Sequence, residues 1–192
     1  MKKQLIAVVS ALAMTFTSLP CVSIAAEIVP KPVLQYTFDG NKQRPDQNGK
    51  NELKLSGGAS VTDDGNKGKG LLLDGTDGYA ELPDNILSSD MTITTWVKIN
   101  KFTTWGRVFD FGTDSNQNFF FAPYSGGASR VEIKNGATMD TMDCTQETAK
   151  DWVNYAITIK GDTVSYYRNG RLINSKSGIK DISELTNTAN YI

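Results

Sequence analysis

The chain has 192 residues, 39% of them hydrophobic, with 20 Lys and Arg against 21 Asp and Glu and no histidine. Without histidine there is no Ser-His or Cys-His pair and no imidazole zinc triad, which removes the common hydrolytic and metalloenzyme designs. A near-neutral balance with no basic tract argues against nucleic acid and anionic membrane as partners.

Residues 1–26 read as a secretory signal peptide. Lys2 and Lys3 form a short positive region, residues 5–19 are mostly apolar and uncharged, and Ser23 with Ala25, or Ile24 with Ala26, offers a small-residue cleavage signal. The apolar run is too short to cross a bilayer and no second one follows, so no membrane association is expected after cleavage. Cleavage near residues 25–27 leaves one domain, residues 27–192, with 18 basic against 21 acidic side chains once Lys2 and Lys3 are gone. The expected location is extracellular. Cys144 is then the only cysteine left, so no internal disulfide forms, and it reads as a plain, partly buried thiol.

Helical periodicity is nearly absent in the rest of the chain, and short β-branched and aromatic runs are divided by Gly, Asn and Asp, the pattern of a sandwich or barrel. Leu34, Tyr36 and Phe38 alternate with Gln35 and Thr37. Residues 41–50 and 57–69 read as polar, Gly- and Asn-rich loops. Met91, Ile93, Thr95, Val97 and Ile99 then alternate with Thr92, Thr94, Trp96 and Lys98. Val153, Tyr155, Ile157 and Ile159 share one face opposite Asn154, Thr158 and Lys160. A period of two turns one set into a core and leaves the other partly wet. Trp96 and Trp152 read as structural aromatics that contribute burial. Asn169-Gly170 and Asn135-Gly136 are tight-turn signals, because both residue types accept positive φ, and Lys160-Gly161-Asp162-Thr163 is a third turn. Residues 152–175 therefore predict a three-stranded antiparallel meander, within a single all-β, two-sheet antiparallel sandwich. Residues 187–192 read as the start of a strand that stops without a turn or polar tail, as in a piece of a longer chain.

Between Trp105 and Arg130 the sequence is rich in aromatic and planar polar side chains: Trp105, Arg107, Asp110, Gln117, Asn118, Tyr124 and Arg130. Sugars present apolar C–H faces edged by hydroxyls, so their sites pair an aromatic platform with groups that donate and accept in two directions. Trp105, Arg107, Asn118 and Tyr124 are the candidate ligand contacts, although the same aromatics also suit core and hairpin packing. Phe119, Phe120 and Phe121 place aromatics on both faces of a strand, so at least one is expected to be partly exposed or covered by a loop. Asp39-Gly40 and Asp74-Gly75-Thr76-Asp77-Gly78 supply hard oxygen ligands on tight turns, a chemistry suited to Ca²⁺ and equally to ordinary turns.

Six segments occur in the order found in LamG-like domains. They are Leu34-Gln-Tyr-Thr-Phe-Asp-Gly40, Gly70-Leu-Leu-Leu-Asp-Gly-Thr-Asp-Gly-Tyr-Ala-Glu-Leu82, Met91-Thr-Ile-Thr-Thr-Trp-Val-Lys98, Trp105-Gly-Arg-Val-Phe-Asp-Phe-Gly112, Trp152-Val-Asn-Tyr-Ala-Ile-Thr-Ile159 and Tyr166-Tyr-Arg-Asn-Gly-Arg171. Over nearly the whole mature chain the sequence thus resembles the LamG-like jelly rolls of the concanavalin A-like superfamily. The resemblance implies a concanavalin A-like jelly roll, and a structural calcium near the first and last strands that would involve Asp39; Asp77 is a second candidate ligand by its turn chemistry alone. It also implies a final strand with an acidic pair and an aromatic, which this sequence lacks. Glucanases of this fold carry a Glu-x-Asp-x-x-Glu run, and nothing here matches it: Glu132 stands alone between Val131 and Ile133, and Glu81 precedes Leu82-Pro83. Glycosidic hydrolysis needs two facing carboxylates, so an active site is not expected. The expectation is a non-catalytic carbohydrate-binding module of an exported bacterial polysaccharide-degrading protein, a monomeric unit binding polysaccharide or oligosaccharide. An adhesion or protein-recognition module and a ligand-free spacer are the alternatives.

Overall fold

The computed structural model describes residues 31–39, 51–148 and 150–192; the signal segment and the polar stretch 41–50 lie outside them. Within the unit Val33–Ile192 the β-branched and aromatic runs form thirteen strands: β1 (Lys54–Ser56), β2 (Ser60–Gly65), β3 (Gly68–Leu72), β4 (Tyr79–Leu82), β5 (Met91–Val97), β6 (Phe109–Asp114), β7 (Gln117–Ala122), β8 (Ala128–Asn135), β9 (Thr138–Thr145), β10 (Val153–Lys160), β11 (Thr163–Arg168), β12 (Arg171–Ser177) and β13 (Ala189–Tyr191). A 3₁₀ turn, Ile182–Glu184, precedes β13. A seven-stranded sheet runs β1-β4-β13-β6-β7-β8-β9, a four-stranded sheet runs β12-β11-β10-β5, and β2 pairs with β3 alone. Every described pairing is antiparallel.

Alternation decides what lies between the sheets. Val153, Tyr155, Ile157 and Ile159 of β10 are buried while their neighbours Asn154, Ala156 and Thr158 are only half-buried. From the other sheet Phe109, Phe111, Phe119, Phe121, Val131, Ile133 and Met142 meet them. The contact is aromatic at its centre: Phe121 lies 5.2 Å from Tyr155 and 5.0 Å from Tyr166, centroid to centroid. Each such side chain contributes about 1.5–3 kcal/mol of burial, and offset aromatic pairs add a further increment. Ile179, Ile182 and Leu185 close one end of this core. One side is tied by polar contacts between β12 and β9, with Lys176 Nζ 3.2 Å from Asp140 Oδ1 and Asn174 Nδ2 donating to the Asp143 carbonyl at 3.2 Å.

The meander over residues 152–175 forms as expected, as β10, β11 and β12. Its second turn uses Asn169 (φ 49°) and Gly170 (φ 77°), the two successive left-handed residues that a tight hairpin requires. Three expectations need correction. Residues 57–69 are not a loop throughout: β2 and β3 make a hairpin with Val61 opposite Leu71, because a ladder needs backbone groups rather than apolar side chains. Residues 34–38 join no ladder among the described residues, although Leu34, Tyr36 and Phe38 are half-buried and Gln35 and Thr37 exposed. Trp96 is not a burial residue; it stands exposed on the outer face of β5, since its register places it opposite Asn154 rather than toward the core. The closing residues form a strand as expected, β13, and it is a central one. It lies between β4 and β6, where Ile192 and Ala80 exchange backbone hydrogen bonds of 3.0 and 2.7 Å.

Candidate ligand-binding face

The seven-stranded sheet has a second face, turned away from the core. Strand parity puts Asp110 (β6), Asn118, Phe120 and Ala122 (β7), Arg130, Glu132 and Lys134 (β8) and Asp143 (β9) on it, because their neighbours on each strand are the buried core residues. Cross-strand register then sets Phe120 beside Asp110 and Glu132 and Arg130 beside Asp143.

Phe120 is buried although it faces outward. The segment 103–107 crosses over it. Gly106 N–H donates to the Thr103 carbonyl at 2.9 Å, and Trp105 N–H to the Tyr124 carbonyl, also at 2.9 Å. Trp105 sits at φ 65°, a left-handed conformation that costs a non-glycine residue roughly 1–2 kcal/mol and that these hydrogen bonds hold in place. The Trp105 ring meets Phe120 edge-on at 6.4 Å and stays exposed on its other side. The Arg107 guanidinium lies 4.0 Å above the Phe120 ring and forms an ion pair with Asp110. This is the covering loop expected over the triple phenylalanine. Val108 packs against the core, so Arg107 does not share a face with Phe109 and Phe111.

Arg130 is held from three directions. Its Nε and Nη2 donate to both oxygens of Asp143 at 2.6 and 2.8 Å, Glu132 Oε2 lies 3.6 Å from Nη1, and the guanidinium stands 5.3 Å from the Trp105 ring. The hydrogen bond from Arg130 holds the Asp143 carboxyl below the usual carboxylate range and raises the guanidinium in turn.

Beside this cluster lies a depression of about 210 Å³ whose walls include Arg107, Asp110, Asn118 and Tyr191, with Gly112 and Ala189 among its lining residues. Gly112 is required there: a Cβ would stand 2.0 Å from the Gln117 carbonyl oxygen. Asn118 is buried, its Nδ2 donates to the Asp114 carbonyl at 3.4 Å, and its Oδ1 has no partner. A buried amide oxygen without a donor is costly, and Asn118 is among the residues that line the depression.

Of the four residues singled out from sequence, Arg107 and Asn118 line the depression, Trp105 flanks it through Phe120, and Tyr124 enters through its carbonyl. Asp143 and Tyr191 were missed. Asp143 was legible by counting, since five residues back from Asn135 and five forward from Thr138 reach Arg130 and Asp143 across the Asn135-Gly136 turn. Tyr191 was not, because its pairing with Asp110 brings together residues far apart in the chain. Glu147 was also missed. It is the one buried carboxylate among the described residues, accepting from Tyr166 Oη at 2.9 Å and lying 3.2 Å from Arg168 Nε. Burial, with Glu147 as the next cause, pushes the Tyr155 and Tyr166 hydroxyls far above their usual range.

The two calcium ligands suggested by the sequence each give one carboxylate oxygen to a backbone amide. Asp39 Oδ1 accepts from Lys69 N–H at 2.7 Å and Asp77 Oδ1 from Gly58 N–H at 3.0 Å. Asp74 Oδ1 accepts from the amides of Thr76, Asp77 and Gly78, which lower its pKa. Among the described residues no three acidic, cysteine or histidine side chains gather as a metal cage. No step below uses a calcium ion.

No curated protein matches the chain. Among solved structures it is similar to domain 4 of AbnA, a GH43 extracellular arabinanase from Geobacillus stearothermophilus solved in complex with arabinotriose, with a TM-score of 0.68 and 22% identity over 81% of this chain and 79% of that one. It is also similar to the botulinum neurotoxin serotype D/C VPI 5993 binding domain, with a TM-score of 0.59 and 14% identity over 82% of this chain but only 41% of that one. A weaker likeness, with a TM-score of 0.48 and 21% identity over 55% of this chain and 63% of that one, links it to the CBM40 of Ruminococcus gnavus IT-sialidase bound to α2,3-sialyllactose. Identities this low speak for the fold. The family model of the concanavalin A-like lectin/glucanases superfamily matches residues 74–192, more than half of the chain, and the chain belongs to that superfamily.

Proposed function

We propose that this chain is a non-catalytic carbohydrate-binding module of an exported polysaccharide-degrading protein, and that the outer face of the seven-stranded sheet holds the glycan. The observation that carries this is the presence on one sheet face of an exposed indole packed on Phe120, the guanidinium stacked on that same ring, and beside them a depression lined by Arg107 and by Asn118, whose buried amide oxygen has no donor. Trp105 offers a flat apolar surface to sugar C–H groups, while Arg107 and Asn118 offer donors and an acceptor to hydroxyls. The structural likeness to an arabinanase domain solved with arabinotriose supports the same reading. Domain bounds of 27–192 and export through residues 1–26 are part of the proposal. No helix among the described residues is long and apolar enough to cross a membrane.

A non-catalytic role is supported by the state of the carboxylates. Asp110 is paired with Arg107, and Glu132 and Asp143 with Arg130, whereas hydrolysis calls for two carboxyls free to face a bond, one of them with a raised pKa. Linking such a module to a catalytic domain raises the local concentration of substrate. Affinity electrophoresis through gels containing plant and microbial polysaccharides tests the reading. Retardation by at least one glycan, lost in Trp105→Ala and weakened in Arg107→Ala, is the expected result; free migration through every gel would end it.

A protein-recognition module is the second reading. Its support is the exposure of Trp96, Leu172 and Ile173 on the four-stranded sheet, and it predicts that the chain ignores glycans altogether.

A further inference from the structure

We propose that the depression selects neutral, hydroxyl-rich sugar units over uronic acids and other anionic units, an inference that rests on the glycan-binding reading of the same face. The argument is one of charge already spent. An anionic sugar needs a cation with a free hydrogen-bonding edge, usually an arginine that can take a carboxylate in two places. Arg107 lines the depression, but Asp110 already occupies it, and the Phe120 ring beneath fixes its plane. Both arms of Arg130 are committed to Asp143, with Glu132 nearby.

Lys134 is the remaining cation on this stretch of the face. Its ammonium donates to Asn116 Oδ1 at 3.3 Å, beside the turn in which Asp114 accepts the Asn116 and Gln117 amides. Arg107, Arg130 and Lys134 thus stand against Asp110, Asp114, Glu132 and Asp143, three cations against four carboxylates. An incoming carboxylate would meet repulsion from Asp110 and Asp114 at the depression itself, and misplaced like charges reject a ligand more strongly than missing contacts do.

Asn118, whose Oδ1 is buried and has no donor, is among the residues that line the depression, and a sugar hydroxyl reaching that oxygen would supply the missing hydrogen bond. The N–H groups of Arg107 not used by Asp110 can donate to a neighbouring hydroxyl, so the ion pair becomes a two-way partner for a diol.

The test is affinity electrophoresis of the chain against neutral polysaccharides (arabinan, xylan, galactan and β-glucan) and against polygalacturonate and alginate, at low and high salt. The proposal predicts retention on a neutral polymer that changes less than about twofold between 50 and 500 mM NaCl, and no retention on either polyuronate. Asp110→Asn, which releases Arg107, should gain salt-sensitive retention on polygalacturonate. Asn118→Leu should lose about three- to tenfold in affinity for the neutral polymer with no drop in unfolding temperature. Stronger, salt-sensitive binding of the unaltered chain to a polyuronate would overturn the neutral selectivity and leave glycan binding standing. An Asp110→Asn variant that gains nothing would overturn the masking of Arg107. Retention on neither class of polymer would overturn the glycan reading and this inference together.

Discussion

The two outer faces of the sandwich each carry an exposed tryptophan, and by exposure alone they are alike: Trp105 is 45% exposed and Trp96 is 47% exposed. Their surroundings differ. Trp96 stands on a regular strand opposite Asn154, whose Nδ2 donates to Thr94 Oγ1 at 3.2 Å and so is already satisfied. Trp105 stands on a strained crossing segment, against a second aromatic on which Arg107 stacks, with Arg130 over its own ring, on the sheet face that also carries Asn118, whose amide oxygen has no donor. An exposed aromatic is common on protein surfaces. A fixed aromatic next to unmet polar demand is what separates a binding face from a bare one.

The comparison can be broken in several ways, beginning with what both faces share. Phe121 joins the sheets through Tyr155 and Tyr166, so Phe121→Ala should cost about 3–5 kcal/mol in urea unfolding. A loss below about 1 kcal/mol would mean that the two sheets are not packed as described. Gly112→Ala is confined to the seven-stranded side. A methyl 2.0 Å from the Gln117 carbonyl forces the β6–β7 bulge to shift, for about 1–3 kcal/mol, and it should abolish glycan retention while leaving the fluorescence of Trp96 unchanged. The smallest effect is electrostatic. Because Arg130 depresses the folded-state pKa of Asp143, their pair stabilises the fold above the normal carboxylate range and is lost as pH falls through the folded value. Asp143 is nearly half exposed, so this contribution is under about 1 kcal/mol. Thermal unfolding from neutral to acid pH should show a slightly shallower acid loss in Asp143→Asn, and an identical profile would remove the pair from the account.

How much of this was legible in the sequence depended on distance along the chain. The inward sets of β5 and β10 could be written from periodicity, because alternation is a local property. The Arg130–Asp143 pair followed from one turn and counting. The triple phenylalanine announced a cover without naming Trp105 and Arg107 as its parts, since a left-handed tryptophan has no sequence signal. Trp96 was misjudged because a large aromatic on an alternating strand reads as core until the register is known. The Tyr191–Asp110 neighbourhood requires the placement of β13 between β4 and β6, which is set by pairing across more than seventy residues. Asn118 was chosen for its chemistry, but its missing donor emerges only from the packing around it.

The three tryptophans give three indole N–H signals in a ¹H–¹⁵N correlation spectrum, each assignable by a Trp→Phe variant. Titration with a neutral oligosaccharide drawn from a retained polymer follows both faces at once. The Trp105 indole should shift in proportion to occupancy while the Trp96 indole stays still. Movement of the Trp96 signal with Trp105 unchanged would put the ligand on the four-stranded sheet and contradict the assignment of the binding face.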